Sequence, residues 1–412
     1  MQENRLDVKK TLLLSFGFFA SSIAWSIYNS FVPQILEGFI KSTTLIGLIM
    51  TIDNVFGVVF QPVFGKLSDN TRTRFGRRMP YIFIGLPICA AAFALLPVMT
   101  GIWSLMAVLI VFTFVMSAWR SPVVALMPDL TPGPLRSQAN GIVNLMGGVG
   151  SLIAFFAGGI LFKAGGFALP FLMSSAMMLV ALAVMALFVR EPKQAYEAEE
   201  AGKKTNVVLD KNEKKSLLLI LFGVFFWFTG YNAVETFFTL YATNTLGMNP
   251  GDAAMTLAIF SLTFLGFAVP AGFIGAKTGR RKTILAGLAG ITVLFLPLVF
   301  LSNPWVTRIC LFLGGFSWAL VNINSLPMVV RLSGEEKIGT FIGYYYFFSF
   351  SSQIVSPVLF GFIRDITGNY KVLFLYACIA FALAMICLFF VRHGEEKSEQ
   401  TSATQVLEGL DD

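Results

Sequence analysis

Three ionisable side chains, Asp53, Arg120 and Glu235, stand inside long apolar stretches of the sequence. A charge at bilayer depth costs at least about 2.5–3.5 kcal/mol, so a chain that keeps three of them has a use for each. A buried acid and base can trade an ion pair for a proton. Burial disfavours a bare carboxylate, a nearby guanidinium favours it, and a moving structure can set one influence against the other. Arginine suits the basic role because it stays charged and offers five donors. At a helical rise of about 1.5 Å per residue, Asp53 lies about 18 Å from Gly65 and Arg120 about 13 Å from Asp129. Both therefore fall near the middle of their segments, at depths that allow an ion pair. The plainer alternative is that the pair only pins one helix to another. Glu235 reads as a second titrating group, an acceptor for a ligand hydroxyl, or the wetted rim of a cavity.

The same stretches carry amides beside aromatics: Trp25, Tyr28 and Asn29; Trp227, Tyr231 and Asn232; Trp318, Asn322 and Asn324; Tyr344, Tyr345, Tyr346 and Gln353, of which some must point elsewhere. Amides and carboxylates suit hydroxyls, and aromatic faces suit weakly apolar rings, so the set points to a polar, uncharged ligand. For each amide the competing use is helix–helix hydrogen bonding. Asn322 and Asn324, two residues apart on a helix, cannot face the same way. A further cluster follows Gly65, where GKLSDNTRTRFGRR places Asp69, Arg77 and Arg78 at a helix end. Asp129, at the end of another apolar stretch, belongs with that cluster.

These residues need elements to hold them, and composition identifies the elements. Of 412 residues, 56% are hydrophobic and 13% charged, against about 25% charged in soluble domains. That excludes an ordinary soluble enzyme, a nucleic-acid-binding module and a disordered scaffold. A crossing helix needs about 20 mostly apolar residues. On that basis twelve segments qualify, near 11–33, 44–66, 79–99, 102–128, 139–162, 168–189, 216–246, 252–276, 283–302, 305–330, 338–363 and 370–391. They are continuous rather than alternating and too long for barrel strands, so the fold class is an all-α membrane protein. The formal net charge of +7 is a topology signal. Lys41, Lys163, Arg308, Arg364 and Lys371 fall on one side and Arg120 inside a segment, leaving 24 of the 30 Lys and Arg on the other side. The positive-inside rule makes that other side cytoplasmic, with both termini there. The four cysteines lie in apolar runs without CxxC spacing, and the single histidine, His393, follows the last run. No metal site and no cofactor are expected, and no cleavable leader is evident.

The two halves repeat at an offset of about 202–203 residues. Phe75–Arg78 (FGRR) answers Thr278–Arg281 (TGRR), Gly141, Gly159 and Gly166 answer Gly343, Gly361 and Gly368, and Tyr28-Asn29 answers Tyr231-Asn232. The expected organisation is a six-helix bundle at 1–189, a cytoplasmic linker at 190–215, a second six-helix bundle at 216–392 and a disordered acidic tail at 393–412.

Six plus six helices in parallel halves, with the Gly65–Arg78 loop, resembles the major facilitator superfamily, whose site lies between the halves near the midplane. Val58–Gly85 and Ala125–Gly141 (ALMPDLTPGPLRSQANG) are similar to the sucrose:proton symporter branch allied to the glycoside–pentoside–hexuronide cation symporters. The resemblance implies that helices 1, 4, 7 and 10 line the cavity, and that Gly65, Asp69, Arg77, Arg78 and Asp129 form a cytoplasmic gate able to latch the halves. It also implies prolines (Pro62, Pro122, Pro327, Pro357) that kink helices. Arg120 stands where melibiose-type symporters carry a cation-binding acid, which favours a proton over sodium as coupling ion.

The expected function is proton-coupled symport of a sugar or glycoside across a bacterial inner membrane by a monomer. Asp53 is the protonation site, Arg120 its partner and Glu235 a further coupling candidate. The alternatives are a proton antiporter exporting drugs or metabolites, and a non-transporting membrane sensor or scaffold.

Overall fold

The computed structural model describes residues 6–132, 135–191, 211–331 and 338–391. Most of the expected linker 190–215 and all of the expected tail 393–412 lie outside them. Among the described residues the fold is all-α, with twelve helices long and apolar enough to cross a membrane. These are α1 (Val8–Glu37), α2 (Thr43–Asn70), α3 (Met79–Val98), α4 (Ile102–Leu130), α5 (Gln138–Gly165), α6 (Ala168–Phe188), α7 (Lys214–Leu246), α8 (Pro250–Thr278), α9 (Arg280–Phe300), α10 (Pro304–Arg331), α11 (Thr340–Thr367) and α12 (Val372–Phe389). Lipid offers no partner for a backbone N–H or C=O, so a continuous apolar run closes its hydrogen bonds within itself. Local chemistry sets the ends. Asn249 Oδ1 accepts from Gly251 N ahead of α8, and Asn303 Oδ1 accepts from Trp305 N ahead of α10. Gly166 and Gly368, with φ of 66° and 67°, follow the ends of α5 and α11 at positive φ, which glycine adopts without strain.

The packing follows the sequence repeat. In the first half α1 lies against α5 and α6, α3 against α4 and α6, and α2 against α4. In the second half α7 lies against α11 and α12, α9 against α10 and α12, and α8 against α10. The halves meet through α5 with α8, α2 with α11, and α1 with α7. The four prolines expected to kink helices lie within helices. α2 is interrupted at Thr51, two residues before Asp53.

One end of the molecule, the basic end, carries Lys66 at the end of α2 and the loop from Thr71 to Arg78. At the opposite, far end the halves are closed on each other. Asp365, near the end of α11, sits at the start of α2. Its carboxylate accepts from Ser42 Oγ (2.6 Å), Thr43 N (2.8 Å), Thr44 N (2.9 Å) and Thr44 Oγ1 (2.7 Å). The first N–H groups of a helix have no partner within it and attract negative charge; here the second half supplies both. Around this cap, Glu37 Oε1 accepts from Asn244 Nδ2 (3.0 Å) and from Tyr370 OH (3.1 Å), and Lys163 pairs with Asp252 at 2.5 Å. The backbones also touch. A Cβ at Gly361 would stand 2.5 Å from Thr43 O, and one at Gly47 would collide with the Pro357 carbonyl.

Asp365→Asn should loosen this closure, because hydrogen bonds to a charged group contribute about 1.5–3 kcal/mol each. With a cysteine at Val358 in a chain freed of native cysteines, maleimide labelling should run at least about tenfold faster in Asp365→Asn than in its parent. Equal labelling rates would show that the cap does not hold the far end shut.

Candidate functional site

With the far end closed, the space between the halves opens at the basic end. A cavity of about 850 Å³ runs from mid-bundle to the exposed Lys66 and Asp69. Asp53, Asn54 and Gln61 of α2 and Ser117, Arg120 and Ser121 of α4 form one wall. Tyr346, Ser351 and Gln353 of α11 form the other, with Trp25 of α1 near the apex. Of the residues expected to meet cargo or proton, the structure brings together Asp53, Arg120, Trp25 and Gln353.

Asp53 and Arg120 share the cavity wall but form no direct ion pair among the described residues. Asp53 Oδ1 accepts from the neighbouring Asn54 Nδ2 at 2.9 Å, and Arg120 acts on it through its charge alone. The ion pair that their depths allow is therefore not formed in this conformation. The cavity passes between the two helices' polar faces, and a one-residue neighbour reaches the carboxylate at lower cost than a guanidinium on another helix. Glu235 does not line this cavity. Its carboxyl faces Asn29 of α1 across the boundary between the halves, and its charge still reaches Asp53. With Tyr231 it lines a separate small pocket closed by Phe155, Phe260, Phe295 and Phe381.

Several expected binding residues serve packing instead. Asn232 Nδ2 donates to Ser352 Oγ at 3.1 Å, joining α7 to α11. Asn324 Nδ2 donates to Ala271 O and Leu320 O, both at 3.0 Å, joining α10 to α8. Tyr345 OH and Ser325 Oγ share a hydrogen bond of 2.8 Å between α11 and α10. Asn322 is half-buried on another face of α10 and does not reach the cavity. Tyr231 stacks on Trp318 with ring centroids 4.4 Å apart. Tyr28 is buried beside Trp25 and Phe112, with centroids 5.4 and 5.9 Å away, and Trp227 is fully buried. An unpaired amide or hydroxyl within the bilayer is costly, and for Asn232, Asn324 and Tyr345 a neighbouring helix met that demand first. Trp25 Nε1, Tyr28 OH and Trp227 Nε1 have no hydrogen-bond partner among the described residues. Sequence reasoning missed Asn54, Gln61, Ser117 and Ser121 as cavity residues, and of the Tyr344–Tyr346 run it is Tyr346 that lines the cavity. Their facing follows from helix rotation, although Gln61 stood out as an amide before Pro62.

The basic-end cluster is built as a clamp within the first half. Asp129 accepts from Arg77 Nη2 (2.7 Å) and Arg78 Nε (2.9 Å). Arg78 also pairs with Asp69 and donates to Ser68 Oγ and Gly65 O. Glu191, which follows α6, accepts from Arg77 N, Arg78 N and Met79 N at 2.7–2.8 Å. Among the described residues every partner lies in the first bundle or, for Glu191, directly after it, and the expected latch between halves is not made among them. The open cavity mouth separates this cluster from α11.

The family model described as Major Facilitator Superfamily matches residues 14–357 and 220–410. Tetracycline resistance protein, class H, of Pasteurella multocida is 25% identical over 379 residues, covering 87% of this chain and 90% of that protein. Multidrug resistance protein MdtG of Enterobacter lignolyticus (strain SCF1) is 21% identical over 408 residues, 97% and 94% of the two chains. Among solved structures, a bacterial homologue of the human lysosomal transporter Spinster, in an inward-facing and occupied conformation, superposes with a TM-score of 0.71 at 13% identity. It covers 92% of this chain and 93% of that one. A point mutant of the nucleoside transporter NupG gives 0.71 at 12% identity, covering 92% and 98%. These structural likenesses show the fold.

Asp129→Asn leaves Arg78, which is 4% exposed, without its main counter-charge. Breaking one side of a buried pair costs about 3–5 kcal/mol, so the melting midpoint in detergent should fall clearly below wild type, while Asp69→Asn, at an exposed acid, should shift it less. Matching midpoints for Asp129→Asn and wild type would remove the clamp's structural role.

Proposed function

The chain belongs to the major facilitator superfamily, a family of multi-pass membrane transporters and not of enzymes, and on that premise we propose that it is a proton-coupled symporter of a sugar or glycoside. The carrying observation is the cavity wall: an acid and a guanidinium on one wall yet unpaired, among amides, hydroxyls and the aromatic side chains Trp25, Tyr346, Phe347 and Phe350. A cargo with many hydroxyls matches these groups. The Val58–Gly85 and Ala125–Gly141 motifs point the same way. The Lys and Arg distribution supports a cytoplasmic basic end, an orientation in which the cavity faces inward. Asp53 carries the proton while Arg120 donates to sugar hydroxyls. When the sugar leaves, Arg120 swings back to Asp53 and the proton departs. Glu235, facing Asn29 at the junction of the halves, is a further coupling group. The relatives are bacterial, which fits an inner-membrane address.

A second reading has its own support. The named relatives are tetracycline and multidrug resistance proteins; the aromatic pocket beside Glu235, about 30 Å³ in this conformation, is too small for such a compound, so this reading rests on the relatives. That reading is proton-coupled export of drugs or metabolites.

Reconstituted vesicles and a pH electrode separate the two. Disaccharide-induced alkalinisation of the medium supports symport; a proton flux driven by tetracycline, with silence toward disaccharides, supports export. In the symporter, Asp53→Asn should abolish accumulation while counterflow persists, and Arg120→Gln should weaken sugar binding at least about tenfold, as expected for losing charge-assisted hydrogen bonds. Uphill uptake undiminished in Asp53→Asn would remove Asp53 from the coupling.

A further inference from the structure

A second cavity lies far from the transport site, on the outside of the junction between α5 and α8. It has a volume of about 250 Å³ and is lined by Leu152 and Phe156 of α5, Asp252, Met255, Ile259 and Leu262 of α8, and Arg308 of α10. The charged residues lie in the first turns of α8 and α10, at the far end of the molecule. From Asp252 to Leu262 the groove follows α8 for about 15 Å, with walls that are entirely apolar below the mouth apart from Thr256. Phe156 and Leu262, both 53% exposed, open it to the surrounding bilayer.

The mouth has an unbalanced charge. Lys163 and Asp252 neutralise each other across the two halves at 2.5 Å. Arg308 makes no ion pair with any described carboxylate; its guanidinium lies 4.8 Å from the Trp305 ring centroid. Trp305 is 69% exposed, a position typical of an aromatic at the water–lipid boundary. The mouth thus presents one net positive charge at headgroup depth, directly above an acyl-width apolar slot.

We propose that this groove is a binding site for an anionic glycerophospholipid, with the phosphodiester on Arg308 and one acyl chain between α5 and α8. A guanidinium matches phosphate geometry through paired donors, and a tail in the slot covers Phe156 and Leu262. The groove adjoins the contact where a Cβ at Gly251 would meet Lys163 and the Gly159 backbone. The site therefore joins the two halves at a seam that must separate when the far end opens. A bound lipid holds the far end closed and links the transport cycle to bilayer composition.

The test uses the full-length protein, delipidated in detergent, with bound phosphatidylglycerol counted by native mass spectrometry over a titration. Wild type should retain one phosphatidylglycerol with at least about tenfold preference over phosphatidylcholine. Arg308→Gln should lose about tenfold in affinity, Arg308→Lys should keep most of it, and Leu262→Trp should fill the slot and lower occupancy with Arg308 intact. Equal binding of phosphatidylglycerol by Arg308→Gln and wild type would overturn the assignment. So would equal binding of phosphatidylcholine, or displacement of the lipid by millimolar inorganic phosphate, which would mark a simple anion site. If Arg308→Gln does not fold, Leu262→Trp decides: unchanged occupancy there rejects the groove.

Discussion

A carboxylate on one half of the molecule completes the first turn of a helix on the other. Asp365 takes the N–H groups of Thr43 and Thr44 and the hydroxyls of Ser42 and Thr44, while the side chain of Ser42, the helix's own cap, accepts from Leu45 N. This is a helix N-terminus used as a joint between domains. Its strength comes from charge-assisted bonds to first-turn N–H groups that have no partner within the helix. The glycine contacts at Gly47 and Gly361 depend on it, since backbones can approach that closely only if something holds them. The position of the cavity depends on it as well, because closure at the far end obliges the halves to splay at the basic end.

The two ends are therefore built on different logic. At the basic end, Arg77, Arg78, Asp69, Asp129 and Glu191 bind one another within the first half. They fix the α2–α3 loop, the end of α4 and the segment after α6 as one rigid block. At the far end the polar contacts cross between halves. A structure with an internally satisfied block at one end and intermolecular-style bonds at the other can pivot without unfolding either bundle. The bonds that must break are few, polar and close to water, which can take their place.

Between the ends, polar groups in the bilayer divide into two populations. Asn232, Asn324 and Tyr345 spend their hydrogen bonds on neighbouring helices and give each bundle its register. Asp53, Arg120, Asn54, Gln61 and Gln353 face the cavity. Amides inside apolar helices carry no label saying which population they join. The decision is made by helix rotation and by which small residue lies opposite: Ser352, Ser325 and the carbonyl of Ala271 captured three of the expected ligand residues.

The sequence by itself determined the twelve helices, their grouping as six plus six and the depth of the buried charges. Each of these depends on apolar run length, rise per residue or a constant offset, quantities that do not change when the chain folds. It also marked Asp53 and Arg120, because a charge inside an apolar run is conspicuous whatever surrounds it. The tertiary structure decided the partners. Asp365 reads in sequence as one more acid at a helix end, and Ser42-Thr43-Thr44 as one more polar start. Only the packing of α11 on α2 makes them a single cap, since residues more than 300 positions apart share no local signal. The same holds for the basic cluster, whose charges were legible but whose confinement to one half was set by the opening of the cavity beside it.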